Sequence, residues 1–305
     1  MIDAYLWGKV DRISPEAPVP VVSCTKRENR LGGAANVALN IKSLGGKPIL
    51  CSLVGNDEKG ILFRNLMGQS NMPTIGIMTD EERPTTVKTR IIGGSQQLLR
   101  VDQEITSELS ELMEETFIAQ IDKIIDSEHI DAIIFQDYDK GCVSKTVIEK
   151  IVHMSKAKNI PTLVDPKRKH FFDYKNVTLF KPNFKEFKDG VNEMLVKGDF
   201  DTLHALAGSF IKEQRLEYLM VTLSELGIYI TDGKKHHHIP AEIRDISDVS
   251  GAGDTVIAVA GLAMAAGLSP KELARLSNFA GGLVCERIGV VPIQKQWIVE
   301  DGFAF

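Results

Sequence analysis

The stretch Asp248-Val249-Ser250-Gly251-Ala252-Gly253-Asp254-Thr255 holds the densest chemistry in the chain, and it opens an apolar run, Val256 to Leu268, that reads as a helix. Two glycines and an alanine leave the backbone uncovered at that helix's first turn. N–H groups there lack intrahelical partners and sit at the positive end of the helix dipole. Such a turn suits an anion, and in particular a phosphoryl group in flight. Asp254 projects from the same turn. A carboxylate is a poor phosphate ligand. It fits instead as a base that takes a proton from a hydroxyl while Gly251, Ala252 and Gly253 hold the incoming charge. A plain glycine-rich helix start with ordinary capping is the competing explanation.

A second glycine-rich helix start is Arg30-Leu31-Gly32-Gly33-Ala34-Ala35-Asn36-Val37-Ala38, where Asn36 offers both a donor and an acceptor, as a sugar pocket requires. Further on come Asp137-Tyr138-Asp139-Lys140-Gly141, Asn183-Phe184-Lys185-Glu186 and Thr222-Leu223-Ser224-Glu225-Leu226-Gly227. In this order and spacing the chain resembles the ribokinase-like family of sugar kinases, over nearly all of its 305 residues. Within that family, Arg12–Val22, Ser95–Asp102 and Val164-Asp165-Pro166-Lys167 resemble segments of the heptose 7-phosphate kinases of lipopolysaccharide precursor synthesis. Many such kinases are one half of a bifunctional protein with an adenylyltransferase. No His-x-Gly-His segment is found here, so a stand-alone kinase is expected.

The resemblance implies a role for each matching residue. Asp254 is the base, with Gly251, Ala252 and Gly253 as backbone donors. Asn183 and Glu186 match an Asn-x-x-Glu element that acts through Mg²⁺ and its waters beside ATP, so Glu186 is the candidate metal contact; Asn183 also suits a helix N-cap. Thr222, Ser224, Gly227 and Asn278 fall at nucleotide positions. Asp3, Gly32, Gly33, Asn36 and Asp137 fall at sugar positions. A distal phosphate needs a cation, for which Lys88, Arg90, Arg100 and Lys140 are candidates, although solvated charges on strand edges explain any one of them as well. Lys167 could contact either phosphate. ATP and Mg²⁺ are the implied cofactors, a monovalent cation is compatible, and a homodimer through the lid is the implied assembly.

The elements that must hold these residues alternate. Helices are expected at 34–44, 57–69, 108–127, 144–158, near 184–190, and 199–214; strands at 48–54, 130–136, 161–165, 177–180 and 217–223, then a hairpin near 226–231 and 234–240. That alternation implies an α/β fold: a three-layer, ribokinase-like arrangement with a mostly parallel sheet and helices on both faces. Segments 5–26 and 84–101 are strand-like but interrupt it, and by resemblance form a small β lid on a single kinase domain spanning 1–305. Met1-Ile2-Asp3 matches only the end of the family's opening Gly-Asp-x-x-x-Asp pattern, so the first central strand is expected to be missing, with Met1 an internal methionine of a longer chain or a misplaced start, or with a rearranged sheet filling the slot.

Composition narrows the classes. Hydrophobic residues make up 43%, enough for a large core, and no apolar run reaches membrane-spanning length. A net charge of −5 disfavours nucleic acid as a partner. Four scattered cysteines without a Cys-x-x-Cys pair, and no leader pattern, point to the cytoplasm. His236-His237-His238 reads as an extended strand rather than a zinc tract, because neighbours there point to opposite faces. Two other classes stay open. A dinucleotide-binding oxidoreductase would need a third glycine where Val256 stands. A catalytically impaired sugar-binding protein of the same fold would keep the pocket. Within the kinase reading, fructokinase, ribokinase or nucleoside kinase activity is the alternative.

Overall fold

A computed structural model describes residues 1–94 and 96–303; Ser95, part of the Ser95–Asp102 segment, lies outside the described residues. Backbone contacts divide the chain into two units. One comprises Met1–Ala35 and Ile49–Thr106; the other comprises Asn36–Pro48 and Ser107 onward. Helix α1 (Ala34–Ser43) runs from one into the other.

The first unit holds a four-stranded sheet ordered β2-β1-β5-β6, from β1 (Ile2–Ile13), β2 (Pro20–Leu31), β5 (Val87–Gly93) and β6 (Gln96–Gln103). The strand-like segment 5–26 contributes to β1 and β2 of this sheet, and the segment 84–101 to β5 and β6. Strand β1 pairs antiparallel with β2 and parallel with β5, and its buried residues are confined to Ile2–Tyr5. A second, two-stranded sheet pairs β3 (Ser52–Gly55) with β4 (Ile77–Asp80) in parallel. Between these strands runs α2 (Glu58–Gln69), capped by Asp57, whose carboxylate accepts from Gly60 N–H at 2.7 Å.

The second unit is a six-stranded sheet ordered β12-β11-β10-β9-β8-β7. Strands β7 (Ile133–Gln136), β8 (Thr162–Asp165), β9 (Leu179–Phe180) and β10 (Tyr218–Thr222) are parallel; β11 (Ile228–Thr231) and β12 (His236–Ile239) add an antiparallel hairpin. Helices α3 (Glu111–Ser127), α4 (Lys145–Ala157), α5 (Phe184–Val191) and α6 (Phe200–Gln214) alternate with the strands, and α7 (Ala252–Ala265), α8 (Pro270–Cys285) and α9 (Lys295–Glu300) follow them. Strand β8, Thr162-Leu163-Val164-Asp165, is buried at every position, as a strand covered on both faces must be.

Helix α7 packs on β7 and β8, and small residues alternate with Val256, Ile257 and Val259 along its buried surface. Ala258, Ala260 and Ala263 sit among Leu163, Leu179, Met220 and Ile230. At Gly261 an added Cβ would meet Ile134 Cδ1 at 2.7 Å, so this position sets how closely helix and strand approach. Elsewhere an aromatic cluster fixes α5 and α6: Phe210 lies 5.4 Å from Phe180 and 5.7 Å from Phe187, ring centre to ring centre. Truncating a buried ring of this kind costs about 3–5 kcal/mol. Among the described residues no helix is long and apolar enough to cross a membrane.

Candidate active site

In a parallel α/β sheet the carboxyl ends of neighbouring strands converge, and ligands bind beyond them. Here Gln136 ends β7, Asp165 ends β8, Lys181 follows β9 directly and Thr222 ends β10. A cavity of about 620 Å³ opens at this edge; its wall includes all four residues, the 251–254 turn, Asn183 and Asn278.

The turn into α7 is uncapped by any side chain. Gly251 occupies the N-cap with φ 84° and ψ −2°, a left-handed conformation that glycine adopts without strain. Among the described residues the N–H groups of Gly253 and Asp254 have no acceptor, whereas that of Ala252 reaches Val249 O at 3.3 Å. Of the three expected donors Ala252 is thus engaged within the turn, and the Asp254 N–H stands beside that of Gly253 instead. A Cβ built on Gly253 would meet nothing closer than Asp165 Oδ2 and Lys181 Nζ, each at 4.0 Å. That space, bordered by an ammonium group and helix N–H groups, fits a phosphoryl group.

Asp254 is buried, and both its oxygens are engaged. Asn36 Nδ2 donates to Oδ2 at 2.8 Å, and Tyr138 OH donates to Oδ1 at 2.7 Å. Gln136 Nε2 lies 3.4 Å from Oδ1. Burial pushes the carboxyl up to about 6; the Asn36 and Tyr138 bonds oppose that rise, the nearby Asp165 adds to it, and Lys181 opposes it. An aspartate so tuned is mostly ionised at neutral pH yet basic enough to take a proton. Lys181 Nζ pairs with Asp165 Oδ2 at 3.1 Å, and both are buried, so the Asp165 charge is matched locally.

On the other side of the cavity Asn183 and Glu186 form a reciprocal capping box on α5. Asn183 Oδ1 accepts from Glu186 N–H and Glu186 Oε2 accepts from Asn183 N–H, both at 2.8 Å. Lys167 Nζ donates to Glu186 Oε1. Burial opposes the charge on Lys167, but Asp165 and Glu186 outweigh it and hold the ammonium above its usual range. A carboxylate has about four acceptor sites. Glu186 therefore keeps capacity for a water of a Mg²⁺ shell, and among the described residues no three metal-ligating side chains cluster into a dedicated cage. Thr222, Ser224 and Gly227 line the same wall, and a Cβ at Gly227 would lie 2.0 Å from Ile239 O, so only glycine fits there. Asn278 on α8 donates to Pro240 O at 2.9 Å, bracing the loop that leads to α7. Asp137 lies behind the strand end, where Tyr174 OH donates to it at 2.9 Å and burial raises its carboxyl. Lys140 is half-buried in the loop that follows.

The remaining sugar and phosphate candidates lie in the first unit. Gly32 does not open the backbone to solvent: a Cβ there would sit 2.1 Å from Asp3 Oδ2, so the Asp3 carboxylate fills that space. Gly33 has φ 59°. Arg90 Nη1 pairs with Asp3 Oδ1 at 2.5 Å. Lys88 bridges Asp102 at 2.9 Å and Glu104 at 3.0 Å, and Arg100 also meets Asp102 at 2.9 Å. Lys88 and Arg100 together hold the Asp102 carboxyl below its usual range. Asp3, Gly32 and Arg90 form one cluster, and Lys88, Arg100 and Asp102 form another.

The model of the pfkB family carbohydrate kinases matches residues 1–296. The chain belongs to that family. It is a phosphotransferase acting on a sugar. Among curated relatives of this pfkB kinase, the bifunctional protein HldE of Methylobacillus flagellatus is 40% identical over 304 residues, covering 99% of this chain and 61% of the relative. HldE of Magnetococcus marinus is 39% identical over 300 residues, covering 96% and 60%. The chain thus spans about three-fifths of the length of these relatives. Solved structures share the fold. Phosphofructokinase-2 from Escherichia coli in complex with potassium superposes with a TM-score of 0.79 at 20% identity, over 98% of this chain and 94% of that one. Ribokinase from Arabidopsis thaliana, complexed with ribose and ATP, gives 0.75 at 16%, over 99% and 96%.

Several residues in and around this candidate site escaped the sequence reading. Tyr138 and Lys181 each stand just past an apolar strand, a position that could have flagged them. Asn40 accepts from Thr255 OH at 3.0 Å and from Ile293 N–H at 2.9 Å, and donates to Asn36 O at 2.8 Å. Its polarity within the apolar face Val37-Ala38-Leu39-Asn40-Ile41 was the missed signal. Arg244 had none. Its guanidinium meets Glu286 at 3.1 Å and Asp301 at 2.5 Å and covers the Phe279 ring at 4.9 Å, tying the loop before α7 to α8.

Proposed function

We propose that this pfkB kinase transfers the γ-phosphoryl group of ATP to the C1 hydroxyl of a heptose 7-phosphate. The observation that carries the phosphoryl-transfer step is the buried Asp254 beside the uncapped first turn of α7, with Lys181 bordering the space at Gly253. The hydroxyl oxygen attacks the γ-phosphorus as the bond to the β–γ bridging oxygen breaks. ADP leaves, and the hydroxyl proton passes to Asp254. Gly253 and Asp254 N–H groups and the Lys181 ammonium stabilise the charge on the moving group. Charge neutralisation on the donor phosphates is what Mg²⁺ supplies when bound, and Glu186 would hold it through its water shell.

The choice of sugar rests on the sequence of the Arg12–Val22 and Ser95–Asp102 segments and on similarity along the whole chain to the HldE proteins. Lys88, Arg90 and Arg100 are the proposed contacts for the distal phosphate. Each faces a carboxylate, which keeps the cation positioned until a phosphate competes for it. The product would enter ADP-heptose synthesis in the cytoplasm. An ADP-release assay with MgATP across heptose 7-phosphate, unphosphorylated heptose, fructose phosphates, ribose and adenosine tests this. Heptose 7-phosphate is expected to give the highest kcat/KM. Preference for ribose or a nucleoside overturns the heptose assignment, and equal kcat/KM with and without the 7-phosphate overturns the phosphate contacts.

A further inference from the structure

Tyr138 has no part in the reaction as described, yet its phenol makes the shortest hydrogen bond to the base, 2.7 Å to Asp254 Oδ1. The side chain is delivered by the turn after β7, whose last residue, Gln136, also reaches toward Asp254. We propose that Tyr138 is a positioning residue that holds Asp254 as an aimed carboxylate. The inference rests on the assignment of Asp254 as the base.

The surroundings of Asp254 explain why such a donor is needed. From α1, Asn36 donates to Oδ2. From the end of β7 come Tyr138 and Gln136, the latter nearer to Asp165 at 3.2 Å than to Asp254 at 3.4 Å. From the end of β8 comes the negative charge of Asp165, and from the residue after β9 the ammonium of Lys181 that pairs with it. Asp254 is thus buried beside a second carboxylate whose counter-ion is already engaged. Both circumstances favour its neutral form. A base that is protonated at working pH accepts nothing.

A phenol suits the task better than a cation. It stabilises the carboxylate through one charge-assisted bond without adding positive charge that would make the base too weak. Burial and the neighbouring carboxylates Asp254 and Asp165 hold the Tyr138 hydroxyl well above its ordinary ionisation range, so it stays a donor throughout the working pH window. The bond also fixes the orientation of Asp254. With Asn36 on Oδ2 and Tyr138 on Oδ1, rotation about the Cβ–Cγ bond breaks both bonds at once.

The test is Tyr138→Phe in the full chain, assayed in single-turnover mode from pH 5 to 9 with MgATP and whichever sugar phosphate of the panel above is turned over. The acid limb is expected to move up by about one pH unit, the effect of losing one hydrogen bond to the charged form. The fold-loss is then largest at the acid end of the range, about tenfold near pH 5, and shrinks toward pH 8.5, while the KM for ATP stays within about twofold. An unshifted profile, or a loss equal at every pH, overturns the proposal. Should the phenylalanine variant not fold, 3-fluorotyrosine installed at position 138 serves instead. Its more acidic phenol is a stronger donor, so the acid limb must move down, and failure to move overturns the proposal. Asp254→Asn runs alongside. If that variant keeps its activity, the base assignment itself fails. If it is inactive while the Tyr138→Phe profile is unchanged, only the inference about Tyr138 falls.

Discussion

Two helix N-termini face one cavity and treat their backbone donors in opposite ways. At α5, Asn183 and Glu186 bond reciprocally to each other's backbone, so the turn is closed by its own side chains. At α7, Gly251 supplies no cap, and the N–H groups of Gly253 and Asp254 are left for something else. The α5 arrangement favours stability, since a side-chain cap contributes about 1 kcal/mol. The α7 arrangement forgoes that gain and keeps an electropositive turn beside a carboxylate. A capped terminus can support a site; an uncapped one can bind the reacting group.

Substitutions at the two ends should therefore separate cleanly. The largest effect belongs to Asp254→Asn, expected to lower kcat by roughly 10²–10⁴ with nucleotide Kd little changed, as single-turnover rates and nucleotide titration would report. Next is Gly253→Ala. The added methyl meets no protein atom closer than 4.0 Å, so thermal unfolding should barely move, while kcat falls by about 10–100-fold because the methyl takes the place of the phosphoryl group. Equal losses of stability and rate would remove the contrast between the helices.

The pH dependence sharpens the same contrast. Asp254 must be ionised to accept a proton, and burial raises its carboxyl to about 6, so kcat/KM for the sugar should climb from acid pH and reach half its plateau near pH 6. A limb near 4 would indicate a solvated carboxylate. The smallest effect is expected from Asn183→Ala. It should cost about 1 kcal/mol of stability in urea melts and raise the KM for MgATP a few-fold, with kcat close to wild type. A collapse of kcat would mean that α5 takes part in the chemistry rather than supporting it.

Much of this was legible locally. The expected helix at 144–158 is α4, Lys145–Ala157, because Ser144 caps an amphipathic run. The strand expected at 161–165 is β8, Thr162–Asp165, where β-branched Thr162 and Val164 flank Leu163 directly after Pro161. Boundaries slipped where pairing decides them: the strand expected at 48–54 is only Ser52–Gly55, the part that finds a partner in β4. The site was less legible. Gly32 falls at a sugar position by resemblance, and what stands beside it, the side chain of Asp3 brought there by β1–β2 pairing, is not visible from its neighbours in sequence. Ala252 looked like a free donor until the turn folded back onto Val249.

The sequence by itself determined the alternation of helix and strand, the glycine-rich start of α7, the α5 capping box and the carboxylate at residue 254, since each follows from neighbours a few residues apart. Only the tertiary structure decided what surrounds that carboxylate. Asn36 and Tyr138 reach Asp254 from 218 and 116 residues away, and Lys181 meets Asp165 from the end of the neighbouring strand. Whether such groups converge depends on strand order and register, and therefore on how the whole core packs. Burial, which gives Asp254 its basicity, has the same origin: one residue's type sets its intrinsic acidity, and the fold around it sets the solvent it loses.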